Sequence, residues 1–171
     1  LSDPAEANPQ SHAARPTARP GVPFTIPLAD GPVAPAVDRV IAAAVLAAAG
    51  AAVWLLASIE PSPAGYDTHV QFGWPRCGWP LTMGLPCPTC GCTTAACLLV
   101  HGQPWQALRT QPFGALLALS GLLLGVHAAL CLWRRRSFVD LVVRLPRARI
   151  LLLALAVLLA SWAYKCMIFV P

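Results

Sequence analysis

The sequence predicts an all-α integral membrane protein: three transmembrane helices with a short interfacial helix and a Cys-, Trp- and Pro-rich exoplasmic cap. Three observations predict it: an apolar composition, three apolar runs of spanning length, and arginines gathered into one connection. Of 171 residues, 57% are hydrophobic and 11% charged, and the mean hydropathy is +0.61. Such a chain cannot cover its apolar surface with polar groups in water, and a bilayer is the solvent that accepts it. The length leaves room for one domain of a few spans rather than two independent cores. The formal charge of +5 is concentrated, because Arg134, Arg135, Arg136, Arg144, Arg147 and Arg149 share one short stretch with Asp140.

Residues 1–37 are Pro, Ala and small polar residues with no periodic apolar face and no h-region of a signal peptide, and read as a flexible cytoplasmic tail. The missing initiator Met is compatible with a processed or truncated start. Residues 38–171 form the membrane domain. About 20 apolar residues cross a hydrocarbon core roughly 30 Å thick, and residues 40–59, 113–133 and 150–170 meet that criterion. The first run is mostly alanine, which partitions less favourably than leucine and also suits a buried soluble helix. The second follows Pro112, a good first helical residue, and stops at the triple arginine; the third is interrupted by Lys165 alone. Gly121, Gly125 and Ala129 place a ridge of small residues on the second span that could meet the alanines of the first or a second copy of the chain.

Lys and Arg beside span ends stay on the cytoplasmic side, so residues 134–149 face the cytoplasm. Three spans then put the N-terminus inside and the loop 60–111 on the exoplasmic face, where Glu60, Asp67, Arg76 and Arg109 balance. The arginine connection alternates with Phe138, Val139, Leu141 and Leu145, a pattern that lies against anionic inner-leaflet lipids or serves simply as a topology signal.

Within the loop, Phe72, Trp74 and Trp79 alternate with Pro75, Pro80, Pro86 and Pro88, which disfavours regular helix and supplies rings that settle at a headgroup boundary. After Cys90-Gly91, Thr93 or Thr94 is placed to cap a short helix over residues 95–100 that ends near Gly102. Too short to span, it is expected to be interfacial or re-entrant. A further turn or two over residues 104–110 leads into Pro112. The two Gly-Trp-Pro triplets, at Gly73 and Gly78, are too short to mark a repeat.

The stretch Thr82-Met83-Gly84-Leu85-Pro86-Cys87-Pro88-Thr89-Cys90-Gly91-Cys92-Thr93-Thr94-Ala95, followed by His101-Gly102, Ala107 and Gln111-Pro112, resembles the signature of the small bacterial membrane proteins grouped as domain of unknown function 2752. Cys77 falls where that family tends to carry an earlier cysteine. Thr94 stands where the family commonly has Arg, and Gln111 where it has Asn, so a role needing a guanidinium does not carry over. The resemblance implies a helical protein of the bacterial inner membrane and brings no established activity.

The cysteines admit three chemistries. Cys87 and Cys90 form a C-x-x-C, and a thiol just before a helix N-terminus has its thiolate stabilised, which suits thiol-disulfide exchange; no βαβ context accompanies it. Cys77, Cys87 and Cys90, with Cys92 or His101 as fourth ligand, would suit tetrahedral zinc. A structural disulfide from Cys77 to Cys87 or Cys90 suits an oxidising face and would stabilise the cap by roughly 3 kcal/mol. Cys97, Cys131 and Cys166 sit in apolar runs as small packing residues. His127 is an ionisable group at hydrocarbon depth with no carboxylate or second His at helical spacing, and reads as a neutral residue bonded to a neighbouring helix. Lys165 is near enough to the span end to snorkel to water, with Trp162 and Tyr164 in an interface belt. No catalytic triad, carboxylate pair, phosphate-cradling loop or nucleic-acid surface emerges. The sequence thus points to a structural or accessory membrane component, with lipid, a membrane-protein partner or a second copy as its neighbours, and a thiol- or metal-transfer protein as the rival.

Overall fold

A computed structural model describes residues 36–168, all of whose regular elements are helical. The expected tail, save its last two residues, and the end of the third expected span lie outside them. The elements are α1 (Ala36–Ala57), a 3-10 turn (Thr68–Phe72), α2 (Gly78–Met83), α3 (Cys92–Val100), α4 (Pro104–Thr110), α5 (Pro112–Arg134), α6 (Val139–Arg144) and α7 (Arg147–Ile168). Helices α1, α5 and α7 have 22, 23 and 22 residues and mean hydropathies of 2.4, 2.2 and 2.0. At 1.5 Å per residue each is about 33 Å long, enough to cross a bilayer core of about 30 Å. The chain is a multi-pass helical membrane protein.

Helix α1 packs mainly on α5. A Cβ added to Gly125 would lie 2.7 Å from the Ala49 Cβ, so glycine permits this crossing. Gly121, one turn earlier, has nothing within 4 Å. The expected ridge is therefore a contact at Gly125 and an opening at Gly121, because the helices diverge toward the end at which α5 begins. At the arginine end Ala42, Ala128, Cys131 and Phe138 form a buried cluster. Asp38 is buried there, its carboxylate accepting hydrogen bonds from the backbone N–H of Phe138 (3.1 Å) and Val139 (2.9 Å). These are donors at the start of α6 with no partner inside the helix, so one acid on α1 fixes where the arginine connection turns. His127 lies against Phe138, with ring centroids 5.6 Å apart, and its Nε2 is 3.4 Å from the Cys131 sulfur. Its partner is thus on its own helix rather than a neighbouring one.

The connection between α1 and α5 carries the other four elements. Helix α4 matches the expected span, with Pro104 in its first turn. Helix α2 was not expected among so many prolines; Pro80 falls in its first turn, where the missing N–H breaks no helical bond. Ala95, Leu98, Ala107 and Ala115 hold α3, α4 and α5 together.

Candidate functional site

The sequence Cys87-Pro88-Thr89-Cys90-Gly91-Cys92 folds as successive tight turns, with Cys90 N–H donating to Cys87 O (2.9 Å) and Cys92 N–H to Thr89 O (3.0 Å). Gly91 then caps α3 with φ +90°, and neither Thr93 nor Thr94 does so. A side chain at residue 91 would be strained there, and its Cβ would come within 2.6 Å of the Gly65 carbonyl oxygen. Thr94, freed from capping, is wholly buried and shares a 2.8 Å hydrogen bond with Thr68. Thr68 in turn accepts from the Ser62 N–H. The Thr94 position thus ties α3 to the 3-10 turn.

That turn positions Asp67, whose carboxylate accepts from the backbone N–H of Cys77 (3.4 Å). The outcome is a cavity of about 320 Å³ lined by Asp67, His69, Trp74, Cys77, Cys87 and Cys90 among others. Cys77 and Cys87 both line this cavity, and the Cys87 sulfur is 3.6 Å from the Thr89 hydroxyl. Cys90 is 4% exposed, and Cys92 is half-buried.

Beneath the cavity the end of α7 supports the connection through polar contacts. Lys165 does not snorkel: it is 5% exposed, and its ammonium donates to the carbonyls of Gly65 (3.1 Å) and Thr110 (3.2 Å). The loop folds over the helix end and supplies carbonyls closer than bulk water. Trp162 Nε1 donates to Pro86 O (2.9 Å), and the Tyr164 hydroxyl to Arg109 O (3.0 Å). The belt residues are therefore struts. Gln111 is wholly buried; its amide donates to Pro88 O (3.0 Å), and its Oε1 has no partner among the described residues.

Electrostatics in this cavity oppose a reactive thiolate. Burial first, then the neighbouring Cys87 and Cys77 sulfurs, push the Cys90 thiol up to about 12, against a smaller lowering by Lys165. The sequence expectation of a helix-lowered Cys90 is reversed, because desolvation of the charged form outweighs the dipole of a nine-residue helix. Burial also raises Cys92, offset in part by a hydrogen bond from Gln111, and burial raises Cys77. Cys97 is wholly buried, with its sulfur 3.4 Å from the Leu56 and Ile59 carbonyls at the end of α1, and burial raises its thiol too.

The first cavity cysteine and the glycine that seats α5 on α1 bound one continuous segment. Residues 77–125 match the model of the family described as "Protein of unknown function (DUF2752)". The matched segment thus holds Cys77, Cys87, Cys90, Cys92, α3 and the α5 contact glycine, while Asp67, Lys165 and all of α1 come from outside it. No curated protein and no solved structure matches the chain.

Of the residues singled out in the sequence, Cys77, Cys87, Cys90 and Cys92 share the cavity lining. His101 does not join them. It caps the far end of α3, with Nδ1 2.9 Å from Cys97 O, nine residues and about 13 Å along the helix from Cys92. Among the described residues no three His, Cys, Asp or Glu side chains are arranged to hold one metal ion, and all seven cysteines are thiols. Lys165, Asp67, Gln111 and Asp38 were not anticipated as organising residues. A lone cation in an apolar run and an acid just before one are the signals that pointed to two of them.

Proposed function

We propose that this protein is an accessory, structural component of the bacterial inner membrane, with its N-terminus in the cytoplasm. Its three spans carry an exoplasmic cap closed by a Cys77–Cys87 disulfide. The observation that carries this reading is that Cys77 and Cys87 line one cavity beside Cys90, which is 4% exposed and whose thiol burial pushes up to about 12. Two thiols that line one cavity on an oxidising face are available to form a bridge. A neighbouring thiol that holds its proton well above neutral pH is a poor nucleophile for opening the bond again. Oxidation passes two electrons to a disulfide-donating thiol oxidase of that compartment and releases two protons. Closing the short loop between the two residues would stabilise the cap by about 3 kcal/mol in the chain-entropy model.

The arginines at the opposite end of the spans support this orientation, since positively charged connections are retained in the cytoplasm. They also suit contact with anionic lipids of the inner leaflet. In this arrangement α3 and α4 lie at the outer boundary, with the exposed Trp105 ring at headgroup level. Mass measurement of the purified full chain, alkylated under denaturing conditions with and without prior reduction, tests the reading alongside elemental metal analysis. The expected result is two cysteines protected until reductant is added, in peptides containing Cys77 and Cys87, with no stoichiometric metal. Seven cysteines alkylated without reductant, or one zinc per chain, would replace this reading with thiol exchange or metal binding.

A further inference from the structure

The cavity cysteines are not equivalent, and the turn that carries Cys87 sets it apart. Pro88 and Thr89 hold the central positions of the turn closed by the Cys90 N–H on Cys87 O (2.9 Å), and proline fixes φ at the first of them. The chain doubles back, and the Thr89 hydroxyl comes 3.6 Å from the Cys87 sulfur, within hydrogen-bonding reach of an atom that large. The β-branched Thr89 side chain has few rotamers to lose in staying there. Thr89 is exposed and Cys87 half-buried, which puts this pair at the mouth of the cavity. A thiolate has no proton to give, so an ionised Cys87 uses the hydroxyl as donor. A hydroxyl that donates to an ionised sulfur stabilises it.

The other cavity thiols are placed less favourably for a first reaction. Cys90 is 4% exposed, and burial raises the Cys92 thiol. Burial also raises Cys77, and the Asp67 carboxylate, which accepts from its backbone N–H at 3.4 Å, adds a negative charge beside the sulfur. The remaining titratable group of the lining is His69, whose Nε2 is 3.1 Å from Pro75 O. From α7 the Lys165 ammonium comes up to Gly91, 3.4 Å from where a Cβ there would sit.

We propose that Cys87 is the thiol by which the cap takes up its disulfide: it attacks a donor's disulfide with the Thr89 hydroxyl donating to the attacking sulfur, and Cys77 then displaces the donor. The step rests on the Cys77–Cys87 bridge, with a disulfide-donating thiol oxidase as the donor. Cys87, its proton lost to water, bonds one donor sulfur; the donor S–S bond breaks, and the other donor sulfur leaves as a thiolate and takes up a proton. Cys77 then loses its proton and bonds the Cys87 sulfur; the mixed disulfide breaks, and the second donor sulfur leaves and is protonated. Two electrons pass from the cap to the donor, which ends as a dithiol. Cys77 is a poor first nucleophile and a sufficient second one, because its target is by then held on the same chain.

The test uses the full chain, purified in detergent and fully reduced, with one equivalent of dithiodipyridine, a neutral aromatic disulfide, followed by acid quenching and peptide mapping by mass spectrometry. Among the cavity thiols the first adduct should be on Cys87. Cys77→Ser should trap it there, whereas the parent chain should go on to a Cys77–Cys87 bridge. Thr89→Val keeps the shape and removes the hydroxyl. Loss of a donor to an ionised sulfur lowers the thiolate fraction about tenfold, and the more basic thiolate recovers about threefold through its greater nucleophilicity. Cys87 should therefore react about threefold more slowly in Thr89→Val at pH 7, and Thr89→Ser should restore the rate. At alkaline pH, where ionisation no longer limits, the order should invert, a crossing that a merely structural role would not produce. Thr89→Ala serves in the same way if Thr89→Val fails to fold, which thermal melting reports. A first adduct on Cys77, Cys90 or Cys92, or a folded hydroxyl-free variant whose pH profile coincides with the parent's, would overturn the proposal. An adduct trapped on Cys87 in a protein whose cellular form carries no bridge would support entry at Cys87 and remove only the disulfide reading. A cellular Cys77–Cys87 bridge with the first adduct elsewhere would do the reverse.

Discussion

Residue-resolved thiol reactivity against pH tests the buried character of Cys90. The thiol is raised from its ordinary 9.0 to about 12, and each unit is tenfold in the thiolate fraction. At pH 8 the Cys90 thiolate is therefore about a thousandfold scarcer than that of an unperturbed thiol. A more basic thiolate is a better nucleophile, with a Brønsted slope of about 0.4–0.5, which recovers roughly 15- to 30-fold. The net expectation is attack on a small aromatic disulfide about 30- to 60-fold slower than for an exposed cysteine, before any loss of access is counted. Access changes the rate but not the profile, so the profile is decisive: the Cys90 rate should still rise tenfold per pH unit between pH 8 and 10. Lys165→Met, which removes the charge that favours the thiolate, should slow Cys90 further. A Cys90 rate that levels off below pH 9 would refute the desolvation argument and restore an exchange-competent thiol. The same shift makes stability depend on pH. The folded thiol keeps its proton to higher pH than the unfolded one, so its contribution is complete below pH 9.0 and is lost as pH rises toward 12.

Asp38→Ala should lower stability in detergent by about 3 kcal/mol, since it strands two backbone donors held by a carboxylate. Proteolysis within residues 135–146 should accelerate with it, and Asp38→Asn should lose less because it keeps one acceptor. Gly125→Leu should lower the melting temperature sharply by driving α1 from α5, while Gly121→Leu should leave it nearly unchanged; equal effects would mean that the crossing point is elsewhere. Cys77→Ser and Cys87→Ser should each speed limited proteolysis of the α1–α5 connection, with Cys166→Ala doing much less.

Spanning helices were legible because length and hydropathy are properties of a contiguous segment, and the three helices begin and end within four residues of the expected runs. Helix α4 was legible from Pro104 and its short amphipathic turn for the same reason. Environments created by tertiary approach were not. Lys165 lies a full turn from the end of an apolar run, and hydropathy assigns it to the water interface; its two carbonyl partners come from residues 100 and 55 positions away. Cys90 carries a helix-start signature, but the fold buries it among other sulfurs, and burial reverses the sign of its shift. Gly121 and Gly125 share one helix face and one motif. They part company because a crossing angle, which no local pattern encodes, brings α1 onto one and away from the other. His101 is close to the other candidate ligands in sequence and remote in space because a helix intervenes.

The claim that a bridged cap sits on the oxidising face is tested most directly by a membrane-impermeant maleimide on intact cells carrying Ser137→Cys, with and without mild reductant. The account predicts that Cys77 and Cys87 are labelled only after reduction and residue 137 not at all. Labelling of residue 137 with a protected cap would invert the orientation, and labelling of Cys77 and Cys87 without reductant would contradict the disulfide.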